Sequence, residues 1–276
     1  MPFKYGPSTE KQIHNSFNNA INREYSMLIL GNSRIYRGIN PDRFSIKCYN
    51  FAHDDDSYNQ MYYKLLFVHN KKEIKKLILG VDYFSFSFIS NRRNYIYGGL
   101  LGHEYLKDFY AFDNNLAVKI LFFFDSKKQD LNNFLGFNRT KLLIKSILSL
   151  RRNNKLPFQR DNGQYIFNDK PKIDDSITRD FEMKLLQKSY FEKIIFYCKK
   201  NKIQLYLLMP PLRDNEIDKY PIEIIEKYDL YFSKFDSVKF INFSKSNKFN
   251  WNDYTDITHL NEFSADRFSS LINEEI

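Results

Sequence analysis

The sequence predicts an α/β protein with a flavodoxin-like, three-layer, doubly wound sheet of about five parallel strands, interrupted after the third strand by a mainly helical or irregular insertion. Three observations carry this expectation. Short, continuous apolar runs recur along the chain, as strands buried on both faces do. Helical patterns separate them, and right-handed crossovers through helices give a parallel sheet covered on both sides. The 276 residues, 43% hydrophobic and 17% aromatic, suffice for a continuous core and exclude global disorder. Residues 1–276 are therefore read as one α/β domain, with 91–176 as an insertion or cap within it.

The first strand is Met27 to Leu30, stopped by Gly31 and followed by the polar Asn32, Ser33 and Arg34. A second fits Ile46 to Phe51. It leads through the acidic turn His53-Asp54-Asp55-Asp56 into a helix from Tyr58 to Val68, with Asp56 or Ser57 as its cap. The third strand, Leu77 to Val81, passes into Asp82-Tyr83-Phe84-Ser85-Phe86. Between Asn91 and Ser176 the glycines Gly98, Gly99, Gly102, Gly136 and Gly163 punctuate segments that read as helical near Leu116–Phe124 and Lys141–Leu150. A helix within Ile177 to Lys200 turns Phe181, Leu185, Ile194, Ile195 and Cys198 inward, and the strand Ile203 to Met209 follows. Pro210 and Pro211 end its pairing. A helix over Pro221–Lys234, a strand over Val238–Phe243 and a helix over Asn261–Glu274 complete the chain, the last with Phe263, Phe268, Leu271 and Ile272 facing inward.

Composition excludes several classes. Cys48 and Cys198 form at most one bridge and lack metal-ligand spacing, so a disulfide scaffold is ruled out. The net charge is 42 − 33 = +9. The positive charge is spread along the chain in short runs such as Lys71-Lys72, Lys75-Lys76, Arg151-Arg152 and Lys199-Lys200, each beside apolar residues. They read as solvated faces, and nucleic acid is not an expected partner. No run reaches the roughly 18 apolar residues of a membrane-spanning helix, and MPFKYGPSTEKQ lacks the sections of a secretory signal.

Ligands of doubly wound sheets bind beyond the carboxyl ends of the strands, so the loops there are where chemistry is sought. Ser33 follows the first strand at the start of a helix. A hydroxyl nucleophile needs a base, commonly a His held in its tautomer by a carboxylate. Asp256 and His259, three apart just before the last helix, can turn to one side together. Singly, each has an ordinary reading as turn, cap or structural histidine. Jointly, Ser33, His259 and Asp256 make a complete triad. His53 leaves the second strand at the same edge, as a site member or as an exposed turn residue. Arg34 and Arg37 could hold an anionic substrate, and Arg37 could equally be an ion-pair partner. Tyr83, Phe84, Phe86 and Trp251 could wall a sugar, although Phe84 and Phe86 suit the core better. His53 and Asp54 to Asp56 cannot all point at one ion, so no metal is expected.

Leu28 to Arg34 and Asp256 to Asn261 resemble the nucleophile block and the Asp-x-x-His block of the SGNH (GDSL-like) hydrolase superfamily. Gly31-Asn32-Ser33-Arg34 with Gly38-Ile39-Asn40-Pro41, and Gly80-Val81-Asp82-Tyr83-Phe84-Ser85-Phe86, are similar to cell-envelope members that transfer or remove acyl groups on surface polysaccharides. The resemblance implies Ser33 as nucleophile, His259 as base, Asp256 as its partner, and no cofactor. It implies an acylated glycan substrate, an acyl-donor membrane partner where transfer occurs, and either an envelope domain lacking its anchor or a cytoplasmic relative. Asn32, Arg34, His53, Asp54, Asp82 and Tyr83 fall in the blocks that line the oxyanion and substrate site. Three departures stand out: Asn32 replaces an Asp, Asn50 to Asp55 lacks the oxyanion glycine, and Asp82 replaces an amide donor. An ionised Asp82 would repel an oxyanion, so the N–H groups of Ser33 and of the Ala52–Asp55 turn are the expected donors.

Overall fold

The computed structural model describes residues 7–89, 94–102, 104, 105, 107, 158–166 and 180–276. In chain order its labelled strands are Met27–Leu30 (β1), Cys48–Asn50 (β2), Lys76–Gly80 (β3), Gln204–Met209 (β4) and Val238–Asn242 (β5). The labelled helices are Pro7–Asn22 (α1), Ser33–Gly38 (α2), Tyr58–His69 (α3), Asn94–Leu101 (α4), Leu185–Lys200 (α5), Asp214–Ile217 (α6), Ile222–Ser233 (α7) and Glu262–Glu275 (α8). All five strands pair in parallel, in the spatial order β2-β1-β3-β4-β5. That is the doubly wound flavodoxin-like order, the fold class the apolar runs predict. Phe158–Gln159 and Tyr165–Ile166 form a separate antiparallel hairpin.

Side chains alternate across the sheet. Met27, Ile29, Ile78, Tyr206, Leu208 and Ile241 pack in one buried cluster with Ile35 and Ile39 from the α2 segment and Phe268 and Ile272 of α8. The intervening residues face α3, α5 and α7, where an aromatic layer forms. Phe86 meets Tyr58 at 4.9 Å and Phe191 at 5.3 Å, and Phe232 of α7 meets Phe240 of β5 at 5.4 Å.

Two inward assignments are corrected. Leu185 is 82% exposed and Phe263 86% exposed. The inward stripe of α5 runs through Gln187, Tyr190, Phe191, Ile194 and Cys198. At about 100° per residue, Leu185 falls nearly opposite Gln187. Phe263 likewise precedes Phe268 by five residues, well off the Ala265-Phe268-Ile272 stripe. Phe181 lies ahead of α5, which starts at Leu185. Ser57 caps α3 through a capping box with Gln60. Helix α1 has no counterpart in the sequence reading, and the helices expected near 116–124 and 141–150 lie outside the described residues.

The chain forms two compact units, Met1–Asn15 with Arg93–Leu156, and Ser16–Arg92 with Pro157–Ile276. The smaller contains α4, and Tyr97 meets Tyr105 edge to face at 6.3 Å within it. The larger contains the sheet and the hairpin. Both cysteines are free thiols, and burial pushes each up to about 12. Among the described residues, no helix is long and apolar enough to cross a membrane.

Candidate active site

The site begins where β1 ends. A Cβ on Gly80 would lie 2.2 Å from Ile35 Cγ1, so the glycine at the end of β3 lets α2 sit directly over the strand ends. Asn32 caps that helix: its Oδ1 accepts the Arg34 N–H at 3.0 Å. Asn50, at the end of β2, closes the other end by donating through Nδ2 to the carbonyls of Ile35 and Ile39, both at 3.0 Å. A six-residue helix is thereby fixed at both termini, with Ser33 at its first position.

The partner loop follows β5. A 3-10 turn, Trp251–Asp253, is capped by Asn250. Tyr254 then bridges to Leu260, and the Thr255 N–H donates to the His259 carbonyl at 2.8 Å. Within the loop, Asp256 Oδ1 accepts the N–H groups of Thr258 at 2.8 Å and His259 at 2.9 Å. Its Oδ2 lies 2.7 Å from His259 Nδ1, and His259 Nε2 lies 2.8 Å from Ser33 Oγ across 226 positions of sequence. The structure thus brings Ser33, His259 and Asp256 into one continuous hydrogen-bond chain.

Electrostatics prepare that chain. Burial pushes the Asp256 carboxyl up, but the hydrogen bond and charge of His259 and the two backbone N–H donors outweigh it and hold the group well below the usual range. Burial is the largest influence on His259 and lowers it. The hydrogen bond to Asp256 opposes that, and the Arg37 charge lowers the group further. A neutral imidazole whose Nδ1–H points to Asp256 presents Nε2 as an acceptor to the Ser33 hydroxyl.

Other predicted site residues are placed differently. Arg34 cannot hold a substrate. Its guanidinium is buried and pairs with Asp82, and it also donates to the carbonyls of Pro210 at 3.1 Å and Pro211 at 2.7 Å. Asp82, buried too, accepts from Asn32 Nδ2 at 2.8 Å, so its charge is answered within the protein and it is neither an oxyanion donor nor an open anion. His53 is buried, not exposed, with Nδ1 2.7 Å from Lys64 Nζ. Lys64 also donates to the Phe51 carbonyl at 2.9 Å and pairs with Asp56, a buried network the sequence reading did not anticipate. Tyr83 is 1% exposed and its hydroxyl bonds Ser244 and Asp229, while Phe86 lies in the aromatic layer, so no aromatic wall forms from them. Trp251 remains half exposed, 3.7 Å above the Arg213 guanidinium.

The expected oxyanion donors are also reduced. The Ala52 N–H is taken by Asn50 Oδ1 at 3.1 Å and the His53 N–H by Asp56 Oδ2 at 3.1 Å. The Ser33 N–H opens α2, where helix geometry provides no acceptor. Asp54 reaches the site by another route: both its oxygens lie 3.2 Å from Arg37 Nη2. Among the described residues, no group of three or more His, Cys, Asp or Glu is placed to hold a metal ion.

No family model and no curated protein matches this chain. Among solved structures, one described as "a putative platelet activating factor from Streptococcus pneumonia" aligns over 96% of this chain and 91% of its own, with 12% identity and a TM-score of 0.47. The fold assignment rests on the strand order itself.

Proposed function

We propose that the chain is a serine-dependent esterase or O-acyltransferase of the SGNH type, acting on an acylated cell-surface carbohydrate. The observation that carries the reading is the Ser33–His259–Asp256 hydrogen-bond chain at the carboxyl edge of a doubly wound sheet. Ser33 Oγ attacks the ester carbonyl while its proton passes to His259 Nε2, and Asp256 holds the imidazolium that forms. The tetrahedral oxyanion takes the Ser33 N–H. Collapse expels the alcohol, which recovers the proton from Nε2 and leaves an acyl-serine. Water or a sugar hydroxyl, deprotonated by His259, then releases the acyl group. No step uses a cofactor.

A second reading, a weakly active or inactive carbohydrate-binding subunit of polysaccharide modification, draws on the occupied Ala52 and His53 amides. Loss of one oxyanion donor costs about 10²–10³ in rate. Labelling by a fluorophosphonate and the p-nitrophenyl acetate burst separate the two readings. The esterase reading expects both in the wild type and neither in Ser33→Ala, with His259→Ala reduced by several orders of magnitude. Wild-type signals equal to the Ser33→Ala background would leave the binding reading.

A further inference from the structure

Resting on the triad reading, we infer that Arg37, held by Asp54, is a positioning residue that sets the acid limit of the reaction by keeping the Asp256–His259 pair in its proton-accepting form. Arg37 lies four residues after Ser33 on α2, so one helix face carries both nucleophile and cation. Arg37 Nη1 is 3.4 Å from His259 Nδ1 and 4.0 Å from Asp256 Oδ2. With the Nδ1 hydrogen directed at Asp256, Nδ1 has no lone pair to offer. The approach of Arg37 therefore acts as charge, not as a hydrogen bond, and it opposes formation of imidazolium.

The orientation of this cation is built in. Asp54 grips Nη2 through both oxygens. Gln164 Nε2 donates to the Arg37 carbonyl at 3.1 Å, and the Tyr165 ring lies 5.5 Å from the guanidinium carbon. The groups facing His259 come from three elements: Asp256 and Thr258 from its own loop, Ser33 and Arg37 from α2, and Asp54 from the loop after β2. Arg37 favours the neutral imidazole, whereas Asp256 and Asp54 favour the charged one. An unopposed arginine would leave His259 a poor base, and Asp54 tempers it. The acidic turn that lacks an oxyanion glycine thus contributes a counter-charge.

Opposite charges make opposite predictions, which a general loosening of the site does not. In Arg37→Gln, the acid limb of kcat/KM on p-nitrophenyl acetate and the titration midpoint of the His259 imidazole by NMR both move to higher pH. In Asp54→Asn both move to lower pH. Arg37→Lys, which keeps the charge, stays close to the wild type and covers the case in which Arg37→Gln fails to fold. On the limb, each unit of displacement is a tenfold change in rate. Shifts of Arg37→Gln and Asp54→Asn in the same direction, or in neither, alongside turnover that Ser33→Ala abolishes, would overturn the role of Arg37 and leave the triad intact. Absence of Ser33-dependent turnover would overturn the triad reading and, with it, the role built on it.

Discussion

Ser33 is held in place by a network of buried side chains around it. Arg34 ties the loop after β3, through Asp82, to the loop after β4, through the carbonyls of Pro210 and Pro211. Asn32 joins that network while capping the helix that begins with Ser33. Removing one partner of a buried ion pair leaves an uncompensated charge, a loss of about 3–5 kcal/mol. Asp82→Asn is therefore expected to lower stability by that amount in urea unfolding, while Arg34→Met with Asp82→Leu recovers most of it; equal losses in the two variants would contradict this account. The sequence makes Ser33, Asp256 and His259 legible as candidates because their spacing and their flanking strand and helix restrict what they can do. Arg34 and Asp82 were open to misreading. A polar residue just past a strand looks the same whether it faces solvent, substrate or a partner fifty positions away.

At the scale of elements, the strands were legible because a buried parallel strand needs a continuous apolar run and little else. The hairpin Phe158–Ile166 was not, since strands of two residues carry no periodicity. It nevertheless covers the edge of the sheet: the Asn50 N–H donates to the Asn162 carbonyl at 3.0 Å, and Asn162 Nδ2 reaches Asn40 at 3.0 Å. Gly163 makes this docking possible. Its φ is +95°, and a Cβ there would lie 1.9 Å from the Asn50 carbonyl oxygen, which is backbone and cannot swing aside. Gly163→Ala should cost about 1–3 kcal/mol by overpacking and accelerate hydrogen exchange at the Asn50 amide. Unchanged exchange there would mean that the hairpin does not depend on this contact. Because Gln164 and Tyr165 follow directly, the same substitution should also disturb Arg37.

At the scale of the whole molecule, several groups whose protonation is linked to folding lie in the C-terminal segment that carries His259. Asp253, Asp256 and Asp266 lie in the C-terminal stretch, and each is lowered. Burial raises all three, but hydrogen bonds prevail: from Ser264, Asn250 and Arg267 to Asp253, from His259 and Thr258 to Asp256, and from Arg43 and Asn40 to Asp266. A carboxylate lowered on folding stabilises the fold above its unfolded value of about 3.9 and loses that contribution as pH falls through its folded value. His259 is also lowered, chiefly by burial. Its unfolded form binds a proton more readily, so its contribution declines as pH falls from about 6.5. Asp229, raised by burial, works in the opposite sense. Protonating carboxylates also adds to a net charge of +9, increasing self-repulsion. The urea midpoint should therefore fall in two steps on acidification, a shallow one below about pH 6.5 and a steeper one below about pH 3.9. His259→Gln should reduce the first step. Asp266→Asn should lower the midpoint at neutral pH and converge on the wild type in strong acid, where both carry a neutral side chain; a constant offset at every pH would show that Asp266 acts through packing instead of charge.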